Sequence, residues 1–180
     1  MIINTIITIF HGIPQFFLFW SSNRQKLSEV IIYTDGAAQG NPGRGGYGAV
    51  LISGDKRKEL SHGYRLTTNN RMELLSVIKA LEALKKPNMH VTIFSDSKYV
   101  VDAVNEGWVF GWKKKGFKGK KNADLWTHFL QLYPHQKIKF VWVKGHANNK
   151  ENEHCDMLAV EAANRPPLSI DEGYEAGIND

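Results

Sequence analysis

The chain of 180 residues has one cysteine, Cys155. An intrachain disulfide is therefore excluded, and the usage fits a reducing compartment. No His or Cys pair stands at metal-ligand spacing, which argues against a zinc centre. Internal repeats and low-complexity tracts are missing, so the repeat classes fall away. Acids are absent from residues 108–121, WVFGWKKKGFKGKK, which hold six lysines. The remainder then carries 17 bases and 18 acids, a net of −1 against +5 for the whole chain. The basicity is local. Interleaved with four aromatics, it suggests a surface that meets a polyanion.

Residues 1–23 lack charged side chains and are long enough to consider a membrane span of about 20 residues. They also lack the basic start and small-residue cleavage site of a secretory peptide, and Asn4, His11, Pro14 and Gln15 interrupt a spanning helix. Three readings stay open: a non-native or mis-called leader, a membrane anchor, or a packed or floppy extension. No methionine lies between Met1 and Met72, so an internal start would use another codon, for instance at Leu27 or Val30. Residues 1–28 are set apart as an apolar leader for which membrane contact is not expected. Residues 29–165 form one domain, with enough apolar material for a core. Residues 166–180 carry four acids and no base and are expected to be a loosely packed acidic tail.

Within the domain the pattern is that of an α/β fold. Val30-Ile31-Ile32-Tyr33 reads as a strand buried on both faces and closed by a turn at Thr34-Asp35-Gly36. Residues 46–53 and 58–66 read as antiparallel strands. Apolar positions over 70–86 recur at helical spacing and stop at Pro87. Residues 90–94 form a second buried strand, followed by helical 97–107, a helix over 123–133, a strand over 137–143 and a last helix over 152–164. The first strand, the crossover helix and the strand at 90–94 predict a parallel pair, with Asp35 and Asp96 side by side at their carboxyl ends.

Four acids converge in this arrangement: Asp35 and Asp96 at strand ends, Glu73 early in a helix and Asp156 in the last helix. Each has a plain structural reading, as turn residue, N-cap, capping-box member or solvated helix residue. Together they repel one another as ions unless a cation lies between them. An all-carboxylate set favours a hard ion, Mg²⁺ or Mn²⁺, and two such ions suit in-line phosphodiester hydrolysis. The glycine-rich stretch from Gly40 to Gly46 lacks the lysine and hydroxyl of a phosphate-binding P-loop. It reads as a tight turn from which Asn41 can reach a base edge or sugar. Thr68, Asn69 and Asn70 precede the Glu73 helix as caps or as contacts to a nucleic-acid strand. His146, in a polar loop after the 137–143 strand, suits proton transfer to a leaving group. Trp108, Trp112 and Phe117, with Lys113, Lys114, Lys115 and Lys118, combine stacking with phosphate neutralisation. Part of the aromatic set, Phe110 or Trp112, is expected to pack inside.

The segments YTDGAAQGNPG, TTNNRMEL, FSDSKYV, GWKKKGF, NADLW, VKGHANNKEN and CDMLA resemble the type 1 ribonuclease H family, in its bacterial form. The resemblance covers about Val30 to Arg165. It implies a ribonuclease H-like fold with a mixed five-stranded sheet in the order 3-2-1-4-5 flanked by helices, so that residues 29–165 become the catalytic domain. It implies hydrolysis of the RNA strand of an RNA/DNA hybrid with two Mg²⁺ ions, leaving 5′-phosphate and 3′-hydroxyl ends. The family's metal-binding acids correspond to Asp35, Glu73, Asp96 and Asp156, and its loop histidine to His146. Its minor-groove asparagines resemble Asn41, Asn69 and Asn70, and its pocket for a DNA phosphate resembles Thr68 with Asn122. Its basic protrusion resembles residues 108–121, shorter here between Phe117 and Asn122. Some relatives place an arginine directly before the Thr-Thr pair; this chain has Leu66 there, with Arg65 one step earlier. Lys98 stands where a glutamine is familiar.

The reading is thus a cytoplasmic, monomeric endonuclease whose partner is the hybrid substrate, with no obligate protein partner. A non-catalytic hybrid-binding module would be marked by loss of an acid, and all four are present. A membrane-attached nuclease rests on the leader alone.

Overall fold

A computed structural model describes residues 29–177. The leader, residues 1–28, lies outside the described residues. Five strands, β1 (Glu29–Gly40), β2 (Gly43–Ser53), β3 (Lys56–Thr67), β4 (His90–Ser95) and β5 (Lys137–Trp142), alternate with α1 (Asn69–Glu82), α2 (Lys98–Asn105), α3 (Trp108–Lys114), α4 (Ala123–Leu132), α5 (Lys150–Asn164) and α6 (Glu172–Glu175). The sheet order is β3-β2-β1-β4-β5, as expected. β1, β2 and β3 form the antiparallel meander, and β4 and β5 run parallel to β1.

Alternation along β2 decides what lies on each face. Ala49 and Leu51 join Ile32, Ile93, Leu74 and Ile78 in the core between the sheet and the α1 side. Gly46 and Gly48 point the other way, under α5. A Cβ on Gly48 would lie 2.1 Å from the Cys155 carbonyl oxygen, so a residue without a side chain lets the α5 backbone settle directly on the sheet. Trp126 and Phe129 on α4 are fully buried and close the α1-side core. Among the described residues, no helix is long and apolar enough to cross a membrane.

Three expectations are corrected. The first strand does not turn at Thr34-Asp35-Gly36; it continues to Gly40, because residues 31–40 pair without a break with β2. Backbone hydrogen bonding to a partner strand outweighs the local turn signal of Asp-Gly. The long helix ends at Glu82 rather than 86.

The acidic tail is the third. Residues 166–177 are held along β3: Ser169 accepts from the Arg65 amide and donates its own to Gly63, both at 2.9 Å. Asp171, 6% exposed, accepts from Arg71 Nε and Nη2 at 2.7 Å and from Thr67 Oγ1 at 2.6 Å. A buried guanidinium in α1 needs acids around it, and the tail supplies one.

Candidate active site

Pairing in the centre of the sheet assembles the acids. The parallel ladder between β1 and β4 ends at Tyr33 and Phe94, while β1 runs on against β2, with Asp35 opposite Gly48. Asp35 therefore borders the opening where β1 and β4 part. α5 rests on Gly48 at Cys155, which carries the next residue, Asp156, toward Asp35. α1 crosses β1 at Gly36, where a Cβ would lie 2.2 Å from the Glu73 amide nitrogen. The sheet thus brings Glu73 beside Asp35 through a glycine contact that any larger residue would break. Asp96 follows β4 directly.

Asp35, Glu73 and Asp96 each offer a carboxylate oxygen, and these lie within 4.8 Å of one another. Asp35 and Glu73 are both 6% exposed. Burial, then the charge of Asp96, pushes the Asp35 carboxyl up to about 8, against a bond from the Gly36 amide. Burial and the charges of Asp35 and Asp96 hold Glu73 well above the usual carboxylate range. Asn69 Nδ2 donates to Glu73 Oε1 at 3.4 Å, and Asn152 Nδ2 to Asp96 Oδ2 at 3.3 Å. Glu73 Oε2 is buried without a hydrogen-bond partner among the described residues. A buried acceptor left open among like charges, all oxygens and none soft, is what a hard divalent ion satisfies. The residues fit a metal.

Asp156 stands outside this trio, half-buried on α5, though its charge is felt at Asp35. His146 is exposed, with φ 51°. Its neighbour Gly145 lies against Asp96, since a Cβ there would sit 2.6 Å from Oδ2. The loop histidine is thereby tethered one residue from the acid cluster.

The cap readings of Asp96 and Glu73 do not hold. Thr68 and Ser97 occupy the N-cap positions of α1 and α2, neither with a side-chain cap bond, so Asp96 is not a cap and no capping box forms around Glu73. Asn41, Thr68, Asn70, Tyr99, Lys121 and Asn122 instead surround a cavity of about 370 Å³. Asn41 Oδ1 accepts from the Asn69 amide at 3.2 Å, and Asn122 Nδ2 donates to the Tyr99 hydroxyl at 3.0 Å. Among the described residues, no carboxylate lines this cavity. Thr68 and Asn122 thus line the same cavity. Lys121 is the last lysine of the basic run already singled out, whereas nothing in the sequence marked Tyr99.

Along the basic segment, Lys113, Lys114, Lys115, Lys118, Lys120 and Lys121 are exposed. Trp108 is 51% exposed. Phe110, Trp112 and Phe117 all pack partly against the core, more than the one expected. Trp112 stands edge-on to Trp126 at 5.8 Å, and Lys120 Nζ lies 5.0 Å above its ring. Phe110, Trp112 and Phe117 anchor the segment, while Trp108 and the lysines face outward. Lys98 Nζ sits 5.1 Å from the Trp142 ring, and Trp142 Nε1 donates to the Asp96 carbonyl at 3.0 Å.

The family model for RNase H matches residues 27–164. The chain belongs to the RNase H family. A ribonuclease H of Syntrophus aciditrophicus is 59% identical over 151 residues, covering 81% of this chain and 87% of the relative. The crystal structure of LC9-RNase H1, a type 1 RNase H, superposes with a TM-score of 0.71 at 32% identity, covering 83% of this chain and 80% of that one. LC11-RNase H1 in complex with an RNA/DNA hybrid superposes with a TM-score of 0.60 at 27% identity, over 75% of this chain and 96% of that one. The RNase H match begins just before β1 and ends with α5. The packed segment that follows lies beyond it.

Proposed function

We propose that this RNase H family chain hydrolyses the RNA strand of RNA/DNA hybrids endonucleolytically, leaving 5′-phosphate and 3′-hydroxyl ends. The observation that carries the reading is the trio Asp35, Glu73 and Asp96, three carboxylates within 4.8 Å, two of them buried. Such a group is stable in its ionised form only around positive charge. With Asp156 it would hold two Mg²⁺ ions, or Mn²⁺. When bound, the metal supplies Lewis acidity and a hydrolytic water at neutral pH.

The protein's own residues supply the rest. Asp35 and Glu73, fixed by β1 and α1, keep their carboxylates in place without reorganisation. His146, on a loop tethered beside Asp96, takes or gives a proton at its ring nitrogen near the leaving oxygen. Asn41, Asn69 and Asn70 contact the hybrid's minor groove, where the RNA 2′-hydroxyl distinguishes the two strands. Thr68 and Asn122 hold a phosphate of the DNA strand. Trp108, Trp112, Phe117, Lys113, Lys114, Lys115 and Lys118 grip the backbone. The chain acts as a monomer in the cytoplasm, where Cys155 stays a thiol, and needs no obligate protein partner.

The test offers the full chain one labelled RNA strand, alone, in a hybrid and in duplex RNA, beside duplex DNA, each with Mg²⁺ and with a chelator. Cleavage of the RNA confined to the hybrid, dependent on the metal and yielding fragments with 5′-phosphates, is expected. Equal cleavage of duplex DNA, or cleavage in the chelator, overturns the reading.

A further inference from the structure

The cavity that gathers Thr68 and Asn122 has one wall the sequence did not suggest. Tyr174, from the segment after α5, lines it. Its position is fixed on both sides. Three residues before it, Asp171 is held by Arg71 and caps α6, accepting from the Tyr174 amide at Oδ1 (3.4 Å) and at its carbonyl (3.0 Å). One residue after it, Glu175 accepts from Arg65 Nη2 at 2.7 Å and from Nε at 3.0 and 3.1 Å. Two ion pairs therefore bracket the tyrosine against the end of β3.

The same contacts remove a competitor for the cavity. Arg65, the arginine nearest the Thr-Thr pair, is committed to Glu175, and the position before Thr67 is Leu66, 40% exposed. Among the described residues, the cavity is left with amide and hydroxyl donors and Lys121, and no carboxylate. A phosphate oxygen is the ligand such a lining takes. The Tyr99 hydroxyl already accepts from Asn122 Nδ2 and from Trp126 Nε1, the latter at 2.7 Å. The Tyr174 hydroxyl has no hydrogen-bond partner among the described residues, so its proton is available to a ligand.

We propose that Tyr174 is a substrate-positioning residue, donating from its hydroxyl to a phosphate of the DNA strand in the cavity formed with Thr68 and Asn122, and that the C-terminal segment is part of the substrate site. This rests on the hybrid-cleaving function proposed above. It adds a contact from outside the RNase H match, carried by a segment that the Arg71 and Arg65 ion pairs hold in register.

The experiment compares the full-length parent, Tyr174→Phe and Tyr174→Ala on a hybrid whose DNA strand carries one uncharged methylphosphonate, moved along the strand in successive substrates. Thermal melting checks that each variant folds. Tyr174→Phe is expected to raise KM about tenfold with kcat unchanged, the loss of one charge-assisted hydrogen bond. At the one position where the methylphosphonate impairs the parent most, the impairment should shrink in both variants. An unchanged KM in Tyr174→Phe, or an undiminished methylphosphonate penalty in both variants, overturns the inference. A parent that does not cleave the unmodified hybrid overturns the proposed function instead, so the two failures are distinguishable.

Discussion

Arg71 and Asp171 are 100 residues apart, and the guanidinium of one donates to both carboxylate oxygens of the other at 2.7 Å. Arg71 is 1% exposed and its remaining donors reach Asp124 at 2.8 and 3.0 Å. Losing Asp171 leaves a buried guanidinium with Asp124 as its remaining acid, and breaking a buried ion pair costs about 3 kcal/mol. Asp171→Ala is therefore expected to lower the unfolding free energy by about 3 kcal/mol, read by urea denaturation with an unchanged slope. A loss below about 0.5 kcal/mol would place the pair among the weak surface bridges.

The acid cluster has its own pH signature. In the folded chain without metal, Asp35 is pushed up to about 8, while an unfolded aspartate titrates near about 4. Between those values the folded state holds a proton that the unfolded state has released, so stability falls as pH rises through the window. Asp35→Asn removes that charge. In chelator, the variant's melting temperature should match the parent's near pH 4 and exceed it increasingly toward pH 8.5. Mg²⁺ should restore the parent more at the higher pH, because the ion takes the place of the proton. A gap constant with pH would contradict the burial and charge argued for Asp35.

Exposed Lys113, Lys114 and Lys115 stand on and just after α3. Replacing all three with alanine should weaken hybrid binding and reduce the slope of log K against log salt by about 2 to 3, since fewer counterions are released. Fluorescence anisotropy at four salt concentrations measures it. An unchanged slope would remove the segment from the interface.

Much of this was legible locally. The β-branched run at 30–33, the helical spacing after Asn70 and the paired Asp-bearing strands gave the parallel β1–β4 pair and the convergence of Asp35, Glu73 and Asp96, while the order of the whole sheet came from the family resemblance. The extension of β1 through Asp35 was not, because Thr-Asp-Gly is a turn signal that only pairing with β2 overrides. The packed C-terminal segment was invisible for a related reason. Its acids look solvated in sequence, and the groups that bind them, Arg65 and Arg71, lie about a hundred residues away with no local period to link them. An arginine at the buried centre of an apolar helix face was the one available sign. Tyr174 carried none.

Asp35 carries the central claim, since it is the buried acid that the sheet fixes beside Glu73 and Asp96. Single-turnover cleavage of the RNA strand of a hybrid by Asp35→Asn, with Mg²⁺ and beside the parent, is the most direct test. A loss of at least about a thousandfold in rate is expected, on the scale of removing one charge-stabilising group from a preorganised site, with hybrid binding retained. Cleavage by Asp35→Asn at the parent's rate would contradict the account.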